Sequence, residues 1–65
     1  MDTTEMTLVT GETYRISGSV EEVEATIIAA SRGSIMQFAW LTQLEGERIG
    51  INPASVLSLR VGETT

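Results

Sequence analysis

Ile35-Met36-Gln37-Phe38-Ala39-Trp40-Leu41-Thr42 reads as a strand with almost no polar face. Alternate residues of a strand point to opposite sides. One side therefore carries Met36, Phe38 and Trp40, and the other carries Ile35, Ala39 and Leu41, with Gln37 the one polar interruption. A domain of 65 residues has one helix or one sheet face to bury such a strand against, rarely both. Either the strand is central and both its faces are covered, or one face is covered by another molecule.

Upstream of this strand, Ser19-Val20-Glu21-Glu22 has the form of a capping box. In that motif a serine side chain and a glutamate three residues on satisfy each other's backbone N–H groups at a helix start. Val20, Val23, Ile27 and Ala30 follow at helical spacing, with Ile28 at the flank of the stripe. Arg32 suits the negative end of a helix, and Gly33 suits the left-handed cap. The pattern predicts a helix over Val20 to Ser31. Before it, Met6–Val9 and Thr13–Ile16 read as a hairpin around Thr10-Gly11-Glu12, with Leu8, Tyr14 and Ile16 inward, and residues 1–5 read as a flexible tail.

Downstream, Glu45-Gly46-Glu47 predicts a turn and Arg48–Asn52 a strand with Ile49 and Ile51 on one face. Pro53 opens a single helical turn that Asn52 can cap. Leu57–Val61 alternates as a half-buried last strand, and 62–65 reads as a second tail. No internal repeat is evident. The expected fold class is α+β: an N-terminal hairpin, one amphipathic helix, then three strands. The antiparallel sheet has four to five strands with the helix on one face, and the whole chain forms one small domain.

Composition narrows function by exclusion. There is no Cys and no His, so disulfides, thiolate chemistry and His-based triads are absent. The chain also has no Lys, and none of its glycines belongs to a phosphate loop. Glu21, Glu22 and Glu24 are explained by the helix start, and Glu45 and Glu47 by a solvated turn lacking calcium-loop spacing. No catalytic residue, metal site or cofactor is expected, and the chain is not expected to be an enzyme. The net charge of −5 and four scattered Arg argue against nucleic acid, and no apolar run approaches the roughly 18 residues that span a membrane. The polar, acidic N-terminus is unlike a signal peptide, so a cytoplasmic protein is expected.

A domain this small is marginal as a monomer, and without disulfides the remaining support is oligomerisation. The candidate interface or partner-binding residues are Met36, Phe38 and Trp40, because Trp, Phe and Met are enriched at interface cores. An unpaired sheet edge is the other candidate surface for association. The expected function is a non-enzymatic homo-oligomeric interaction or accessory module, a dimer, with a further protein partner in view. The alternative is a small-ligand protein in which Arg48 or Arg60 holds an anion, between helix and sheet or at a subunit interface.

Two resemblances accompany this reading. The layout from Glu12 to Gly62 resembles small uncharacterised actinobacterial proteins. Those share a strand, a helix opening like Ser19–Glu24, a strand ending in Leu-Thr (here Leu41-Thr42), a turn like Glu45-Gly46-Glu47-Arg48 and a final strand. That resemblance implies the fold alone. Thr7–Tyr14 with Ser19–Val23 resembles the back half of the small flagellar FlbD-like proteins, and Leu41–Glu47 through Ile51-Asn52-Pro53 their front half. The two halves stand here in swapped order. Arginine without lysine looks like a GC-rich bacterial or phage source.

Overall fold

The computed structural model describes residues 2–33 and 37–62. Its elements are β1 (Thr3–Leu8), β2 (Thr13–Ser17), α1 (Val20–Ser31), β3 (Ala39–Thr42), β4 (Arg48–Ile51), a 3-10 turn (Pro53–Ser55) and β5 (Val56–Val61). The class is α+β with all strand pairs antiparallel. The strands form two sheets, in the orders β2-β1-β5 and β3-β4, where a single sheet was expected. An isolated bridge between Ile16 and Gln43 joins them, beside a 3.1 Å bond from the Leu44 N–H to the Arg15 carbonyl.

The first strand begins at Thr3, so the expected tail is corrected there: Thr3 and Thr4 are buried in the middle strand of the larger sheet. A polar residue can be buried when its hydroxyl is satisfied. The Thr4 hydroxyl donates to the Gly18 carbonyl at 3.0 Å, and the Gly18 N–H donates to the Asp2 carbonyl at 3.0 Å. Gly62, also expected in a tail, is buried against the same strand and donates to the Thr3 carbonyl at 2.7 Å. A Cβ there would lie 3.0–3.1 Å from Thr3 atoms, so this close approach of two chain segments needs glycine.

The helix has its expected bounds. The Ser19 hydroxyl accepts from the Glu22 N–H at 3.1 Å, and the Glu22 carboxylate accepts from the Ser19 N–H at 2.9 Å, which completes the capping box. Val23 and Ala30 are buried, with Val20 and Ile27 partly so. Gly33 is not a left-handed cap. The positive-φ glycines are Gly11, Gly18 and Gly46, and the helix closes instead through the Arg32 N–H on the Ile28 carbonyl and the Gly33 N–H on the Ala30 carbonyl, both at 3.1 Å. α1 packs chiefly on β3, then on the 3-10 turn and β5. The core is Met6, Leu8, Ile16, Val23, Leu41 and Ile51.

The last strand departs from clean alternation. Met6 pairs with Leu59 and Thr7 with Ser58, but Leu8 pairs with Val56, leaving Leu57 as an extra residue in a bulge. Leu57 is 64 % exposed as a result. Val61, at the end of the strand, is exposed too.

The structure also contains a repeat that sequence reading missed. In β1-β2 the Leu8 N–H donates to the Glu12 carbonyl (2.8 Å) and the Gly11 N–H to the Leu8 carbonyl (2.9 Å). In β3-β4 the Gln43 N–H donates to the Glu47 carbonyl (2.7 Å) and the Gly46 N–H to the Gln43 carbonyl (2.9 Å). Gly11 and Gly46 share nearly the same φ, 97° and 99°. At the same offset, Thr7↔Thr13 matches Thr42↔Arg48, Met6↔Tyr14 matches Leu41↔Ile49, and Thr4↔Ile16 matches Ala39↔Ile51. Met6, Thr4 and Ile16 are buried, and so are their counterparts Leu41, Ala39 and Ile51. One hairpin plan is used twice, followed once by a full helix and once by a single 3-10 turn.

Candidate functional site

β3 is shorter than the strand expected from sequence. Ile35 and Met36 lie outside the described residues, and Gln37 and Phe38 precede the strand. Ala39 and Leu41 point into the core, which sends Trp40 and Thr42 outward. Phe38 and Trp40 are 47 % and 55 % exposed, so neither is a core residue of this chain.

Trp40 is nevertheless held in place. It pairs in register with Gly50, where a Cβ would come within 3.0–3.1 Å of three ring carbons. The indole therefore lies flat across the glycine backbone. The Arg48 guanidinium carbon stands 5.6 Å from the ring centroid, a cation–π distance worth about 0.5–1 kcal/mol at an exposed site. Phe38 meets the ring edge-on, with centroids 6.4 Å apart and planes at 69°. An exposed aromatic that is already immobilised loses little side-chain freedom on binding.

A shallow groove opens beside it. Ala25 and Ala29 of α1 form one wall, and Phe38 and Trp40 the other. A second groove continues past Trp40 between Glu22 and Thr26 of the helix and Thr42 of β3. Trp40 and Thr26 line both. Small helix residues leave the indole uncovered, because alanine cannot reach across it.

The two arginines singled out for an anion stand in different sheets. Arg48 is on β4 against Trp40, and Arg60 is on β5 directly opposite Glu5. Glu5 pairs on its other side with Arg15, so an acidic position lies in register between two arginine positions across β2-β1-β5. Opposite charges in register favour strand pairing, which gives Arg60 a place in the sheet independent of any ligand. Gly50 and the Ala25–Ala29 wall were absent from the sequence reading. The signal for the wall was there: Ala25 and Ala29 are apolar residues on the side of the helix away from its main stripe.

Among the described residues no group of three or more acidic side chains is placed to hold a metal ion, and no helix is long and apolar enough to cross a membrane. Comparison with family models, with curated proteins and with solved structures finds no match.

Proposed function

We propose that this chain is a non-enzymatic, homo-oligomeric interaction module, a dimer, whose contact surface is the Phe38–Trp40 face of β3 with the adjoining wall of α1. The observation that carries the reading is Trp40: half-exposed, yet fixed by Gly50, Arg48 and Phe38. A rigid, uncovered Trp beside an Arg has the composition and preorganisation of interface anchors. A small core without disulfides or described metal ligands gives association a further role in stability. The bulge at Leu57 interrupts the ladder of β5, which favours the β3–α1 face over strand addition at that edge.

The test is absolute mass in solution by light scattering after size exclusion, for the native chain and for Trp40→Glu. The native chain is expected at twice its 7.0 kDa and the variant at 7.0 kDa. Trp40 is a surface residue, so the variant is expected to keep its far-UV circular dichroism spectrum. A native mass of 7.0 kDa at high micromolar concentration overturns the proposal.

A further inference from the structure

The outward stripe of α1 is Glu21, Ala25, Ile28 and Arg32, all exposed, with Ile28 at 41 %. These residues stand at spacings of four, three and four, the pattern that keeps side chains on one narrow face of a helix. The stripe lies opposite the buried Val23 and Ala30. It adjoins the aromatic groove through Ala25 and Ala29. Among the described residues neither Glu21 nor Arg32 has an ion-pair partner.

The order of residues along this stripe is self-complementary. Turned end for end, Glu21 falls opposite Arg32 and Ala25 opposite Ile28, and both matches occur twice about the two-fold axis. Each contact sets a small residue against a large one, and each end sets an acid against a base. A two-fold dimer needs a patch that complements itself in this way. At 1.5 Å per residue the stripe spans roughly 16 Å. That alone is short of the roughly 800 Å² per partner of a stable interface, and the Phe38–Trp40 groove continues the same surface.

We infer that a second copy of this chain docks with its α1 antiparallel to the first, pairing Glu21 of each protomer with Arg32 of the other across a seam of Ala25 and Ile28. This inference rests on the homo-oligomer reading above and adds its orientation. In a chain of net charge −5, association must overcome mutual repulsion, and two symmetric ion pairs at the contact act against it.

The experiment is a charge swap read by sedimentation at low ionic strength. Glu21→Arg alone places arginine opposite Arg32 at both ends, and Arg32→Glu alone places two acids together. Each single change is expected to weaken the dimer about tenfold or more, and the double swap to restore it to within about threefold. Salt near 1 M should compress these differences. Glu21→Gln removes the attraction without placing a cation at the helix start, so a fold defect in Glu21→Arg is recognised separately. It is expected to weaken the dimer by about threefold. A parallel helix pair predicts no effect of either single swap, because like charges already face each other. A dimer indifferent to both swaps therefore overturns this inference and leaves the interaction surface standing. A native chain that is monomeric overturns both.

Discussion

Ile16→Ala is expected to destabilise the domain by about 2–5 kcal/mol, as large-to-small changes in packed cores do. Ile16 is wholly buried and belongs to the core with Met6, Leu8, Val23, Leu41 and Ile51. It also sits at the bridge to Gln43, where the two sheets meet. Shortening it removes packing on both sides of that seam, and the neighbouring backbone is tied by the bond between Leu44 and Arg15, so the space cannot close freely. A domain of this length has roughly 3–10 kcal/mol of stability in all, at about 0.05–0.15 kcal/mol per residue. The change consumes a large part of it. Urea unfolding at fixed protein concentration gives the measurement, with Ile16→Val expected at about 0.5–1.5 kcal/mol. A loss under about 1 kcal/mol for the alanine variant would show that the two sheets are not held through this residue.

Val23→Asp is expected to abolish folding. Val23 is the residue through which α1 enters the main core, at 2 % exposure. A carboxylate there has no basic partner in that core, and burying an unpaired charge costs several kcal/mol even after the surroundings relax. The expected far-UV circular dichroism spectrum is that of an unfolded chain, with strand and helix signals lost together. Retention of the strand signal with loss of the helix alone would mean that the sheets stand without α1, which would then be an appendage. The pairing of β2 to β3 through little more than one bridge makes that outcome unexpected, because a two-stranded hairpin such as β3-β4 is marginal in isolation.

The helix was legible in the sequence because its signals are local. Ser19 and Glu22 cap each other within one turn, and Val23 and Ala30 repeat at helical period. The turns at Gly11, Gly46 and Pro53 were legible for the same reason. What failed was non-local. Thr3 and Thr4 look like a polar tail until Gly18 is placed beside the Thr4 hydroxyl. The split into two sheets depends on which strands meet, and no periodicity encodes that. Leu57 sits outward because β5 slips by one residue against Thr7 and Leu8, a consequence of its partner.

The candidate site shows the same division. Phe38, Trp40 and Arg48 could be picked out by residue type. Which face of β3 turns outward could not, since both faces are apolar in sequence. Register decides it, by bringing Gly50 under the indole and Ala39 and Leu41 into the core. Arg60 looked equivalent to Arg48 until Glu5 was found opposite it.

Both hairpins are closed by short turns, whereas β5 reaches β1 from the far end of the sequence and binds beside it from Thr4 to Leu8. That difference separates the steps of folding in time. Hairpins form in about 1–10 μs, and a contact between distant segments must first overcome the entropy of closing the whole intervening chain. The docking of β5 is therefore the slow event. Because the hairpins are already formed when β5 docks, destabilising substitutions at Gly46, like those at Leu59, are expected to slow refolding more than they speed unfolding, and stopped-flow chevrons would show it. Until that closure occurs, β1 is an open template on the side later occupied by β5, so the interval before docking is when one chain is most able to receive the last strand of another.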